Sequence, residues 1–161
     1  MSSITVRPAT TADAAAACEV LRRSIRELCV ADHRDDERIL AAWLANKTPE
    51  NVRRWIATPS LFCVVAVEIG EVRGVGMVQR DGEIQLCYLV PEAQHRGIGK
   101  LLLRTLEAEA VRWGLDKVFL TSSLTAKAFY ERNGYARTGE ATAMRGLPPG
   151  FPMSKTLAEP R

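Results

Sequence analysis

The chain has 161 residues, 47% of them hydrophobic, and its formal net charge of +3 is spread along its length, which fits one domain spanning 1–161 and leaves no nucleic-acid footprint. Cys18, Cys29, Cys63 and Cys87 lack Cys-x-x-Cys spacing and the only histidines are His33 and His95, which argues against a metal centre and for reduced thiols in a cytoplasmic protein. The N-terminus carries no basic and apolar leader, and the longest apolar run, Leu61 to Val67, is too short to cross a bilayer.

In chain order, Ile4-Thr5-Val6 predicts a strand that exits through Arg7-Pro8-Ala9. Thr10 with Asp13 three residues on reads as a carboxylate variant of the capping box. Ala14, Ala17, Cys18, Leu21, Ile25 and Leu28 then recur at helical spacing to about Cys29. His33 to Asp36 breaks that helix. Ile39, Leu40, Trp43 and Leu44 mark a second helix, and Thr48-Pro49-Glu50 opens a short third that Thr58-Pro59 ends. Three strands follow as an antiparallel meander: Phe62 to Glu68, Val72 to Gln79 and Ile84 to Val90, with turns at Ile69-Gly70-Glu71 and Asp81-Gly82.

From Ile98 the period turns helical, with Leu103, Leu106, Ala110 and Trp113 on one face, Lys100, Arg104 and Glu107 on another, and Gly114 as the stop. Lys117 to Leu120 predicts a strand, Leu124 to Asn133 a helix ended by Gly134, and Tyr135 to Thr138 a strand. Gly139 to Pro152 is crowded with glycine and proline and reads as a loop; Met153 to Leu157 follows as a closing strand and Ala158 to Arg161 as a frayed end. Strands grouped ahead of a central helix, then alternating with another, imply an α/β mixed sheet with helices on both faces.

The chemistry centres on Val90-Pro91-Glu92-Ala93-Gln94-His95-Arg96-Gly97-Ile98-Gly99-Lys100, where a strand gives way to the long helix through a two-glycine loop. The first turn of a helix has N–H groups without intrahelical partners and about half a positive charge, so a phosphate is its natural occupant. A nucleotide-hydrolase P-loop is rejected because Gln94 and Leu101 stand where it needs glycine and Ser or Thr. The dinucleotide fingerprint fails at Leu102, its third glycine position.

What remains, Gln94-x-x-Gly97-x-Gly99, resembles the acetyl-CoA pyrophosphate loop of the GNAT N-acetyltransferases. Some thirty residues on, Ala126-x-x-Phe129-Tyr130-x-x-x-Gly134-Tyr135 is similar to a second segment of the same family. The resemblance implies a GNAT-like, mostly antiparallel sheet of six to seven strands flanked by helices, whose fourth and fifth strands run parallel and splay around the cofactor. It also implies acetyl-CoA contacts from Leu89, Val90, Gln94, His95, Arg96, Gly97, Ile98, Gly99 and Lys100, and from Ser123, Thr125, Ala126, Phe129 and Tyr130. Ser123 and Thr125 stand where the family commonly has an asparagine, so a hydroxyl replaces that contact or it is lost.

Acetylating an amine poses two proton problems. At a pKa of about 10.4, on the order of one lysine-like amine in a few thousand is nucleophilic at neutral pH, and the departing thiolate, with a thiol pKa of roughly 8.5, leaves better if protonated. Tyr130 is the candidate acid, the role that the family assigns to a tyrosine at this motif position. Glu83 matches the glutamate base of some members, with a water relay, Glu68, Tyr88 or Cys87 as alternatives. The acceptor pocket is expected between the first two helices, their connection and the late loop, with Cys29, His33, Trp43, Tyr88 and Phe151 as candidate lining.

The resulting expectation is an N-acetyltransferase acting on a primary amine of a small molecule. Acetylation of a protein or aminoacyl-tRNA amine, or a non-catalytic acyl-CoA sensor, are the alternatives. No feature names the acceptor, and a homodimer is left open.

Overall fold

The computed structural model describes residues 3–144 and 146–157, so the frayed end expected at Ala158 to Arg161 lies outside the described residues. Strand β1 (Ile4–Pro8) leads through a 3-10 turn at Thr11–Asp13 into α1 (Ala14–Leu28). The Thr10 amide donates to Asp13 Oδ2 at 2.7 Å, the reciprocal half of the expected box, and the same carboxylate holds Arg7 at 2.8 and 3.0 Å. Helix α1 buries Ala14, Ala17, Cys18, Leu21 and Ile25, the apolar stripe legible in the sequence.

Beyond Cys29 the chain makes one more helical turn, α2 (Val30–His33), before left-handed Arg34 and Asp35 turn it into α3 (Glu37–Leu44). His33 is fully buried, its Nε2 donating to the Ile25 carbonyl at 3.0 Å and its Nδ1 accepting from the Asp35 amide at 3.0 Å. It is therefore a core histidine and not pocket lining. Helix α4 (Pro49–Ile56) opens with Thr48 Oγ1 accepting the Asn51 amide at 3.1 Å.

Strands β2 (Leu61–Glu68), β3 (Glu71–Gln79) and β4 (Ile84–Leu89) extend β1 into a four-stranded antiparallel sheet in the order β1-β2-β3-β4. Cys63, Val64, Val65 and Ala66 are buried in succession, so both faces of the sheet are covered. Helix α1 and the long α5 (Ile98–Arg112) supply that cover, and α5 contributes the fully buried Leu102, Leu103, Leu106 and Ala110.

The second half is a sheet of β5 (Lys117–Ser122), β8 (Leu147–Thr156) and β6 (Ala136–Arg137) in the order β5-β8-β6, with α6 (Lys127–Arg132) before β6 and β7 (Thr142–Met144) also paired to β8. The structure corrects the loop expected from Gly139 to Pro152, which folds as the β7–β8 hairpin. Proline lacks only an N–H, and Pro148 and Pro149 lie where the β7–β8 register shifts, so the ladder loses little there. Helix α6 is shorter than expected because residues 123–126 are held as a turn. Glu107, expected on a different face of α5 from its apolar stripe, is buried: it accepts Tyr135 Oη at 2.7 Å and Lys155 Nζ at 3.0 Å, tying α5 to the second sheet. No helix among the described residues is long and apolar enough to cross a membrane.

Replacing Glu107 by Leu strands a phenol and an ammonium that are mostly out of water, and chemical denaturation should record a loss of about 3 kcal/mol or more. The Arg7 guanidinium holds Asp13 at about 2, below the usual carboxylate range. Its stabilising contribution is thus fully present above about pH 4 and disappears as pH falls through about 2. In acid-unfolding curves the advantage of the parent chain over Asp13→Asn should shrink across that window and stay constant above it.

Candidate active site

Strands β4 and β5 are parallel neighbours with one backbone bridge among the described residues, between Glu83 and Phe119, where the Phe119 amide donates to the Gly82 carbonyl at 3.0 Å. Past that point no ladder bond joins them among the described residues, and the gap opens into a cleft of about 460 Å³. Leu89, Gln94, His95, Gly97, Ile98, Gly99, Lys100, Ser123, Thr125, Ala126 and Phe129, all expected at the cofactor, line it.

The loop between β4 and α5 explains why an anion suits this cleft. A 3-10 turn at Pro91–Ala93 uses the Ala93 and Gln94 amides internally, on the Val90 and Pro91 carbonyls. Left-handed backbone at His95 and Gly97 then curls the chain into the helix, with φ of 60° and 80°. The amides of His95, Arg96, Gly97, Ile98, Gly99 and Lys100 meet no acceptor among the described residues. Ile98 and Gly99 are buried, where an unpaired N–H is costly, so the geometry calls for an external acceptor. Glycine at 99 serves a second purpose: a Cβ there would stand 3.1 Å from Phe129 Cε1, so its absence lets the α6 aromatic close over the first turn of α5.

Behind that wall sits Tyr130, 7% exposed, with its ring edge-on to Phe129 at 5.2 Å and to Tyr135 at 5.6 Å. The Cys87 thiol, which lines the cleft, is among its neighbours. Burial raises Tyr130 well above its ordinary value and pushes Cys87 up to about 12. Both groups therefore keep their protons at neutral pH.

Three of the expected residues lie elsewhere. Glu83 stands at the bridge, at the opposite end of β4 from the loop, where its side chain accepts Gln85 Nε2 at 3.1 Å. The Arg96 guanidinium turns from the cleft to Glu68, at 2.9 Å, leaving only its amide in the loop. Val90 is buried and its amide is already bonded to the Arg73 carbonyl at 3.0 Å.

A second cleft of about 340 Å³ adjoins the first, sharing Tyr88 and Ser123 as walls. Trp43, Lys47 and Asp32 line it from the helical side, and Leu147 to Gly150 from β8. Of the residues proposed for an acceptor, Trp43 and Tyr88 stand here and Cys29 lines the first cleft. Phe151 lies instead beneath Lys127 and Arg137, at 5.4 and 5.2 Å from their charged groups.

Asp32 joins the two clefts and escaped sequence reasoning. Its Oδ1 accepts the Leu124 amide at 2.7 Å, and its Oδ2 accepts the Thr125 amide at 3.1 Å and the Thr125 hydroxyl. The Ser123 hydroxyl accepts the Ala126 amide at 3.1 Å, so both hydroxyls read as stand-ins for an asparagine have partners within the protein. Arg132 and Asn133 were missed as lining residues, although Thr125, Phe129, Arg132 and Asn133 follow the 3- and 4-residue step of one helical face. Among the residues lining either cleft, Asp32 alone carries a carboxylate.

The sequence matches the model of the acetyltransferase (GNAT) domain over residues 29–157. An IAA acetyltransferase of Azospirillum brasilense is 32% identical over 92 residues, 52% of this chain, and the chain spans 60% of the length of that curated relative. The solved GCN5-related N-acetyltransferase of Rhodopseudomonas palustris is similar in fold, with a TM-score of 0.86 over 98% of both chains at 23% identity. The PaiA N-acetyltransferase of Thermoplasma acidophilum, solved in complex with coenzyme A, gives a TM-score of 0.80 over 96% of this chain and 99% of its own, also at 23% identity. A family match over most of the chain, on the loop and splayed strands just described, places this protein in the GNAT acetyltransferase family.

Proposed function

We propose that this chain transfers the acetyl group of acetyl-CoA to a primary amine of a small molecule. The observation that carries the reading is the run of amides from His95 to Lys100 that meet no acceptor among the described residues, on a loop that lines a cleft between parted strands. Those donors suit a diphosphate, and the open edge of β4 at Leu89 suits the amide-bearing arm that follows it. The arm then leads the thioester towards Cys87 and Tyr130. The second cleft supports a small acceptor: its volume is at the lower end of the range for small-molecule sites and Trp43 and the β8 segment wall it.

In the reaction the amine nitrogen attacks the thioester carbonyl, the C–S bond breaks, Tyr130 protonates the leaving sulfur, and a proton shed by the amine restores the phenol. A free thiol is more acidic than a buried tyrosine, which would oppose that proton transfer. The same burial that pushes Cys87 up to about 12 acts on any thiolate beside it and reduces the mismatch. On the acceptor side, burial lowers the Lys47 ammonium below its ordinary value, and the same desolvation acts on an acceptor ammonium against the opposing pull of the Asp32 carboxylate. Glu83 takes no part in this reading, since it stands apart from both clefts.

Coenzyme A titrated into the protein should release a binding heat, and pantetheine, which lacks the diphosphate, should bind about 100-fold more weakly, as expected for the loss of two or so hydrogen bonds to a charged group. Absence of heat with coenzyme A would remove the proposal. Tyr130→Phe keeps the aromatic packing and should lower kcat by about 100-fold or more in a thiol-release assay while coenzyme A affinity holds. Full turnover by that variant would take the acid role from Tyr130.

A further inference from the structure

The second cleft carries two opposite charges on otherwise uncharged walls, and this arrangement selects among amines. Lys47 stands on the turn between α3 and α4, its backbone fixed by Cys18 Sγ and Arg22 Nη1, which donate to its carbonyl at 3.2 and 2.9 Å. Its ammonium donates to Asn46 Oδ1 at 2.8 Å, and no carboxylate among the described residues forms an ion pair with it. An ammonium has three donors, so two remain. A partly desolvated cation without a counter-charge is costly, and an anion arriving in the cleft relieves that cost.

Asp32 is the complement. A carboxylate offers about four lone-pair directions, and the Leu124 amide, the Thr125 amide and the Thr125 hydroxyl use three of them. These donors flank Ser123, which lines both clefts, so the negative end of the second cleft abuts the site of acetyl transfer. Trp43, Tyr88, Pro148 and Pro149 fill the remaining wall without charge.

We propose that the acceptor is an amine that also bears a carboxylate, an amino acid in the broad sense, whose carboxylate is received by Lys47 and whose amino group, entering as the ammonium and giving one proton to solvent before it attacks, sits at the Asp32 end next to the thioester. The proposal rests on the acetyl-transfer reading and names the substrate class of that site. Polyamines and aminoglycosides are disfavoured by the same geometry, because a second ammonium would be pressed against Lys47. A simple alkylamine fills the amine end and leaves Lys47 without its anion.

The test pairs each of a set of amino acids with its own carboxamide and with the amine lacking the carboxyl group, in a thiol-release assay with acetyl-CoA. Amino acids should be preferred by at least about 10-fold in kcat/KM, chiefly through KM, as one charge-assisted hydrogen-bonded contact supplies. Lys47→Gln should collapse that ratio and Lys47→Arg should keep most of it. Carboxamides or diamines used as well as the acids, or an unchanged ratio in Lys47→Gln, would overturn the assignment. Calorimetric titration of the same pairs into the coenzyme A complex reads the preference without turnover. A silent chain that still binds acids over carboxamides would sink the transfer reading and keep this one, and equal binding would sink this one.

Discussion

Strands β4 and β5 share one backbone bridge among the described residues, at Glu83 and Phe119, and then part. The rest of the site follows from that separation. Two strands in one ladder would satisfy each other's amides and leave no room between them. Among the described residues β4 keeps an unbonded edge towards β5 beyond the bridge and runs into a loop whose amides from His95 onward are likewise unspent. The cost of exposing that edge is offset elsewhere: β4 is zipped to β3 along its length, α5 buries four residues completely against the sheet, and the Glu107, Tyr135 and Lys155 cluster fastens α5 to the second sheet. The halves are held apart at the cleft by being held together behind it.

Asp32 gives this open seam its second fastening. The turn from Ser123 to Ala126 has to present side chains to both clefts while its own amides stay out of a ladder, and a single buried carboxylate from α2 collects two of them. That contact crosses 92 positions of sequence. It couples the helices that wall the second cleft to the turn that walls the first, so the two clefts are formed by one structure and share Tyr88 and Ser123. Electrostatically the seam is ordered as well: backbone donors at one end, protonated thiol and phenol in the middle, and an acid and a base at the far cleft.

Much of this was legible in advance because it is local. The apolar stripe of α1, the proline-started α4, the hairpin turns and the glycine loop are each set by neighbours within a few residues, and the loop and the Phe129-Tyr130 segment already resembled the family to which the chain belongs. What sequence reasoning missed depends on contacts made at long range. The β7–β8 hairpin looked like a loop because Pro148 and Pro149 are accommodated at a register shift that no composition reveals. The burial of Glu107 could not be read from its helical face because its partners Tyr135 and Lys155 arrive from 28 and 48 positions away. Glu83 was read for a base from its interval to the loop, but a strand's direction puts the far end of that interval at the bridge and outside the cleft. Asp32 gave no sign at all, being one acidic residue among several in an irregular stretch.

The two clefts also draw on the chain differently. The wall of the first cleft comes chiefly from the stretch between β4 and the end of α6, with Ser24, Leu28 and Cys29 added from the first helix and its end, whereas the neighbouring hollow is stitched largely from the helices near the beginning and the hairpin near the end. Under the proposed reading, exchanging the outer segments would alter the second cleft first, provided that the Asp32 contacts to Leu124 and Thr125 are kept. A scaffold divided in this way is a ready starting point for laboratory recombination, with crossovers placed at β2 and at β6 so that neither junction cuts the nucleotide-holding core.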